Sequence, residues 1–443
     1  MSEPSTDAKV TDAQTAALKL SNQSDETRSA ALHDLADAIE MRSTEILEAN
    51  RADVEAAQQQ LEAGEYTQAF VDRLELSETK IDDIAAMVRS VADQADPLGK
   101  TLEARRLDTD LELYKQSVPI GVIGTVFESR PDALVQIAAL SLKSGNAVIL
   151  KGGSEAKHSN RTLFEIIREA TAGVADGWVQ LIEARAAVDR ILKLDDAIDL
   201  LMPRGSSEFV QYVQDNTSIP VLGHTEGVCH VFVDSAADLD MAEDIAFDAK
   251  VQYPAVCNAM ETLLVHADVA ESFLPTVVER YRAADVELRG DTRSQSIVDI
   301  APASEDDWST EYGDLILSIK IVDSLVDAVD HVNTYGSKHT ESIVTADADR
   351  AGRFMQGVDS ASVFHNASTR FSDGYRYGLG AEVGISTGKT HARGPVGLEG
   401  LTTYQYMLEG DGQIVATYSG EDARPFAHDP LAADWTPGRL SDE

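Results

Sequence analysis

One feature governs what this chain can become: from Gly121 onward, short apolar runs alternate with stretches of helical periodicity. The runs are Gly121 to Phe127, Ala147 to Leu150, Trp178 to Ile182, Ala197 to Met202 and Val228 to Val233. Helical patterns fill 132–143, 156–171, 187–193 and 206–215. Strand, helix and strand repeated in this way close most simply as a parallel sheet covered on both faces. The second half continues with a helix near 238–250, a strand at 262–266, a helix at 270–282, a strand at 315–322, a helix at 325–334 and a strand at 358–364. That predicts a second α/β domain. No internal repeat of roughly 20 to 50 residues is visible, which argues against a solenoid.

Other patterns flank this alternation. From Ser5 to Ala95 the spacing of Leu32, Leu35, Ile39 and Ile46 on an Ala, Glu and Gln-rich background predicts four or five packed helices. The polar run Ser21 to Glu26 separates the first two, and Ser43, with Glu45 in the turn after it, is expected to cap the next. At 102–118 Leu107, Leu111 and Leu113 follow a period of two, which predicts strands. Beyond Ser419 the Pro- and acid-rich end reads as an acidic tail, 419–443, with little to hold it in order.

Charge narrows the partners. The 443 residues carry 76 acids against 37 bases, a formal net charge of −39. A surface this negative repels phosphate backbones and anionic lipid heads, so neither nucleic acid nor a membrane is an expected partner. The 37 bases divide into 13 Lys and 24 Arg, and the acids are spread along the chain. This is the pattern of a protein suited to molar salt, where charge is screened within a few ångströms and carboxylates keep the surface hydrated. An acidic enzyme from an ordinary cytoplasm is the alternative. The two cysteines, Cys229 and Cys257, fit neither a zinc pattern nor a disulfide framework. Reduced thiols, a polar N-terminus and the lack of any run of 18 apolar residues point to a cytoplasmic protein.

Four segments carry chemistry. In SVPIGVIGTVFESRPD a strand runs into Glu128, Ser129, Arg130 and Pro131, the kind of strand end where open α/β sheets bind ligands. Lys151, Gly152, Gly153 and Ser154 follow the next strand, and Gly205 and Ser206 open a later helix; small residues and free backbone N–H groups there suit phosphate or ribose. Taken singly, each also looks like an ordinary tight βα turn. Cys257, beside Pro254 and small neighbours, suits a thiol exposed at a cleft, although an isolated cysteine is more often a small buried hydrophobe, the role expected of Cys229 in VCHVFV. Finally, GLGAEVGISTGKTHARGPVGLEG gathers Glu382, Lys389, His391 and Arg393 among many glycines. Such a loop either binds an anion or is a solvated surface with incidental charge.

Together these segments resemble the γ-glutamyl phosphate reductases of the aldehyde dehydrogenase superfamily. The matching blocks are PIGVIGTVFESRPD (119–132), LKSGNAVILKGGSEA (142–156), PRGS (203–206), GVCHVFVD (227–234), VCNAMETLLVH (256–266), HTESIVT (339–345), VDSASVFHNASTRF (358–371) and GLGAEVGISTGKTHARGPVGLEGLTTY (378–404). The resemblance implies an aldehyde dehydrogenase-like α/β fold: a Rossmann-type cofactor domain (1–102 and 119–226), an α/β catalytic domain (227–395) and a small β ribbon for homo-oligomerisation (103–118 and 399–415). It implies NADPH-dependent reduction of L-glutamate 5-phosphate to L-glutamate 5-semialdehyde and phosphate, the second step of proline biosynthesis, without a metal and with functional coupling to glutamate 5-kinase.

The resemblance also implies roles. Cys257 as thiolate would attack the acyl phosphate to give a thioester, with its own N–H and the Ser129 or Asn258 region receiving the oxyanion. Lys151, Gly152, Gly205, Ser206 and Glu382 would hold the cofactor. Arg130, Lys389, His391 and Arg393 are candidates for the substrate's anions, Glu128 for its ammonium, with Asn366 and Ser368 nearby. The chain departs from its relatives twice. Hydrolytic aldehyde dehydrogenases carry a general-base Glu where HTEGVCH places His224 by register rather than Glu226, which agrees with a thioester meant for reduction. Tyr253 also stands where reductases usually have a basic residue.

Overall fold

The computed structural model describes residues 4–128, 130–184 and 187–436. Five helices open the chain: α1 (Thr6–Leu20), α2 (Asp25–Met41), α3 (Ser43–Glu62), α4 (Gln68–Leu74) and α5 (Glu78–Ala92). Ser24 and Ser77 cap α2 and α5 by accepting the Thr27 and Lys80 backbone N–H. Ser43 does not cap α3. It is the first helical residue, and Arg42 occupies the cap position without a side-chain bond, because α2 runs almost directly into α3.

Two antiparallel strands, β1 (Thr101–Asp108) and β2 (Leu111–Pro119), lead to the first α/β unit. It comprises β3 (Val122–Phe127), α6 (Pro131–Lys143), β4 (Ala147–Gly152), α7 (Lys157–Ala170), β5 (Val179–Leu181), α8 (Val188–Ile191), β6 (Leu200–Arg204) and α9 (Ser207–Asp215). The strands lie parallel in the order β5-β4-β3-β6. Every residue of β3 and β4 is buried, which is why both read as continuous apolar runs rather than alternating ones. A polar knot ties the opening helices to α6. The Lys143 ammonium, fully buried, donates to Asp25 (2.6 Å), Ser29 (2.8 Å) and the Ala92 carbonyl (2.9 Å), while buried Arg28 pairs with Asp96 at 2.8 Å. Removing one partner of such a knot would strand a buried charge.

The second unit runs β7 (Cys229–Val233), α10 (Leu239–Val251), β8 (Met260–His266), α11 (Ala267–Ala283), β9 (Glu287–Gly290), α12 (Thr292–Ile297), β10 (Ala301–Pro302), β11 (Ile316–Val322), α13 (Leu325–Tyr335), β12 (Thr340–Val344), α14 (Ala348–Gly357) and β13 (Ser362–His365). Its seven strands are parallel, in the order β10-β9-β11-β8-β7-β12-β13. Separate apolar clusters cover its two faces. Sequence periodicity does not reveal β9, β12 or α14, and the strand expected at 358–364 begins at Ser362.

The chain ends with β14 (Ile385–Ser386) paired to β15 (Gly394–Pro395), then β16 (Thr402–Gly410) and β17 (Asp429–Pro430). These complete a sheet in the order β16-β2-β1-β17. The end of the chain is therefore held in order as far as Trp435, contrary to its composition. Asp429 and Pro430 pair with β1, the Tyr418 and Phe426 rings stack 4.4 Å apart, Arg424 bonds Asp108 at 2.6 Å, and the Trp435 N–H meets Thr101 Oγ1 at 2.9 Å. Local contacts across a strand edge supply what a hydrophobic core does not. Among the described residues, no helix is long and apolar enough to cross a membrane.

Candidate active site

A cleft of about 790 Å³ opens where the C-terminal ends of β3 and β6 face the loop between α10 and β8. Cys257 lines it, half-buried. Its backbone is fixed from behind: a Cβ on Gly227 would lie 2.1 Å from the Cys257 carbonyl oxygen and 2.5 Å from its Cα, so only glycine permits this approach. Cys229 is fully buried in β7, its Sγ 3.2 Å from that same carbonyl, and burial pushes its thiol well above the ordinary value. The two thiols thus differ in access. One faces the cleft, and the other is held protonated behind it.

Asn258 is buried beside the thiol; its Nδ2 donates to the Ser372 carbonyl at 2.7 Å, and its Oδ1 meets no hydrogen-bond partner. Ser129 lies outside the described residues. Glu128, Arg130, Gly205, Ser206 and Glu382 all line the cleft with Cys257. A Cβ on Gly205 would come 2.8 Å from Glu128 Oε2, which keeps this wall narrow. Burial raises the Glu382 carboxyl above its usual range, and the nearby Arg204 guanidinium and the Gly374 N–H, at 2.9 Å, act against that rise. Lys151 and Gly152 end the buried β4, and the Lys151 Nζ donates to the Gly152 carbonyl at 2.5 Å. A Cβ on Gly152 would strike Asn160 Nδ2 at 2.2 Å.

The remaining anion candidates are placed elsewhere. Lys389 and Arg393 pair with Asp359 at 2.9 and 3.1 Å, His391 meets the Gly400 carbonyl at 2.9 Å, and none of the three lines the cleft. Asn366 bonds both backbone groups of Thr345, and Ser368 accepts from the Arg370 N–H to cap a short 3₁₀ turn, so both hold loops outside the cleft lining.

In their stead the fold brings in Arg73, Arg204, Arg370 and Arg376. With Arg130 they set five arginines against the four carboxylates Glu128, Glu311, Asp373 and Glu382, in a chain whose acids outnumber its bases two to one. Burial lowers the pKa of Arg73, Arg204 and Arg370; neighbouring guanidiniums push the same way, Arg130 on the first two and Arg376 on the third. Among the described residues Arg73 and Arg130 form no salt bridge. Crowded, partly desolvated guanidiniums of this kind favour an anionic ligand. Arg204 and Arg370 already stood in the PRGS and VDSASVFHNASTRF blocks. Arg73, far away on α4, gave no signal. His224 also lines the cleft, whereas Glu226 is exposed and does not.

The comparisons with known proteins agree with this architecture. The model of the aldehyde dehydrogenase family matches residues 1–306. A γ-glutamyl phosphate reductase of Natronomonas pharaonis is 72% identical over 434 residues, covering 98% of this chain and 99% of that one. One from Haloquadratum walsbyi is 70% identical, covering 96% and 95%. The crystal structure of γ-glutamyl phosphate reductase from Thermotoga maritima superposes with a TM-score of 0.88 at 41% identity, covering 92% of this chain and 98% of that one. The first two relatives come from halophilic archaea, as the acidic composition leads one to expect. The chain belongs to the aldehyde dehydrogenase family and, within it, to the γ-glutamyl phosphate reductases.

Proposed function

We propose that this chain reduces L-glutamate 5-phosphate to L-glutamate 5-semialdehyde, with NADPH as reductant and release of phosphate, in proline biosynthesis. The observation that carries the reading is the cleft itself: an accessible thiol beside crowded arginines in a strongly acidic protein. The Cys257 thiolate attacks the acyl carbon, and the C–O bond to phosphate breaks, leaving a thioester. The Cys257 backbone N–H receives the developing oxyanion; the Asn258 side chain, committed to Ser372, holds the loop. Arg73 and Arg130 take the phosphate and carboxylate, in place of Lys389, His391 and Arg393, and Glu128 meets the ammonium.

The cofactor fits the first sheet. Narrow glycine turns at Gly152 and Gly205, the α9 N-terminus at Ser206, Lys151 at the end of β4 and Glu382 across the cleft would hold its phosphates and riboses. Bound there, NADPH supplies the hydride that converts the thioester to the aldehyde. A cation at Lys151 suits a 2′-phosphate. By this reading residues 1–102 with 119–226 bind cofactor, 227–395 carry the thiol, and the β1, β2 and β16 sheet joins copies of the chain. Coupling to glutamate 5-kinase would shorten the path of a labile acyl phosphate.

An assay in molar KCl tests the reading in reverse: glutamate semialdehyde, NADP and phosphate should give reduced cofactor, and the rate should require phosphate. A phosphate-independent rate would reassign the substrate. Cys257→Ala should abolish turnover while NADPH binding persists. Loss of activity in Cys229→Ala but not in Cys257→Ala would move the nucleophile.

A further inference from the structure

Three side chains converge at the rear of the cleft, and the proposed reaction uses only one. Among the described residues, His224, Cys257 and His339 form a cluster in which one ligand atom from each lies within 4.8 Å of the others. The imidazoles meet edge to face, with ring centroids 5.1 Å apart. His224 Nδ1 bonds the Ile385 carbonyl at 2.8 Å and must donate there, which leaves Nε2 as a lone-pair donor. A metal-ligating histidine is typically fixed in this way. His339 is fully buried; its Nδ1 lies 2.8 Å from Thr340 Oγ1, and its Nε2 has no hydrogen-bond partner. An unsatisfied nitrogen on a fully buried ring that belongs to the same cluster as the cleft thiol is the second, independent sign of a ligand.

We propose that His224, Cys257 and His339 form a binding site for a borderline-soft divalent cation, Zn²⁺ above all, which reversibly blocks the nucleophile. Two imidazoles and a thiolate are a donor set that suits zinc and not the hard, oxygen-seeking ions. Zinc bonds of about 2.0–2.1 Å to nitrogen and about 2.3 Å to sulfur bring ligand atoms to roughly 3.3–3.8 Å from one another. The cluster therefore needs to contract by up to about 1.5 Å, within the reach of side-chain torsions. His224 and Cys257 line the cleft and His339 does not, so the ion enters from the solvent side and is backed from within. The fourth position faces the cleft and takes water. Arg204 near His224 opposes a cation, while Glu311 and Glu382 favour one. On binding, the Cys257 thiol gives its proton to solvent and a sulfur–zinc bond forms, with no change of oxidation state. The sulfur lone pair that would attack an acyl carbon is then occupied. The site depends on where three side chains stand, not on which acyl substrate the enzyme accepts.

The test uses Co²⁺ as a spectroscopic probe, titrated into the reduced full-length protein in molar KCl. One equivalent per chain should produce a thiolate-to-cobalt charge-transfer band with tetrahedral d–d absorption, and Zn²⁺ should displace it. The band should vanish in Cys257→Ser and persist in Cys229→Ser. His339→Gln should weaken binding at least tenfold, and Zn²⁺ should slow alkylation of Cys257 by iodoacetamide in the parent and in Cys229→Ser. Circular dichroism establishes that each variant is folded; should His339→Gln not fold, His224→Gln is read in its place. No charge-transfer band, a band surviving Cys257→Ser, or unchanged affinity in the histidine variant would overturn the proposal.

Discussion

Two groups of cations invite comparison. Lys389 and Arg393 lie four positions apart in a glycine-rich loop, whereas Arg73, Arg130, Arg204, Arg370 and Arg376 are scattered over some three hundred positions. The loop pair is bound to Asp359, and the scattered five converge beside Cys257. Proximity in sequence marks a place where charge must be compensated locally. Proximity in space, with guanidiniums pressed together under partial burial, favours an external anion.

The contrast can be broken by substitution. Arg73→Met with Arg130→Met should lower kcat/KM on the order of a thousandfold, since each charged contact is worth roughly 1.5–3 kcal/mol. Steady-state kinetics with acyl phosphate would check this, and a loss below tenfold would place the anions elsewhere. Gly227→Ala pushes a methyl group into the Cys257 backbone; a displacement of about 1 Å should cost on the order of a hundredfold in turnover. Cofactor binding should survive in that variant. Lys389→Met with Arg393→Met should change kcat/KM by less than about threefold and stability by about 0–1 kcal/mol, as expected of part-exposed pairs. A tenfold loss would restore the loop as the anion site. The smallest effect concerns pH. The Lys389 hydrogen bond, joined by Arg393, holds the Asp359 carboxyl below its usual value. The stability it contributes is therefore present above the ordinary Asp pKa of about 3.9 and is lost as pH falls through the lowered folded value. Thermal midpoints of the parent and Asp359→Asn should converge on acidification, and a constant gap would exclude the ion pair as the cause.

Legibility in the sequence followed hydropathy. β3 and β4 are buried throughout and read as apolar runs. β12 is no less buried, yet its TESIV carries Glu341 and Ser342, and Glu341 is tolerated inside because His230 on the neighbouring strand, at 2.9 Å, and Ser360, at 3.1 Å, bond it. No periodicity encodes that partnership. The same limit applies to the site. Cys257, Arg130 and Glu382 stand in recognisable blocks, and the fold brings all three to the cleft. Arg73 arrives from α4 through the packing of the opening helices, and Lys389 is drawn away by an aspartate thirty positions earlier. Motif and periodicity locate backbone turns well. They do not show which charges have already found partners within the chain.

The order β16-β2-β1-β17 has a further consequence. With Asp429 and Pro430 paired to β1, one margin of this sheet is partly covered, and the other, β16, is lined by exposed Tyr404, Tyr406 and Leu408. A margin that is covered offers few free backbone groups to a further strand, whereas a long exposed strand offers a row of them. The 429–430 segment shields the middle of β1, and β16 is left as the longer margin of this sheet.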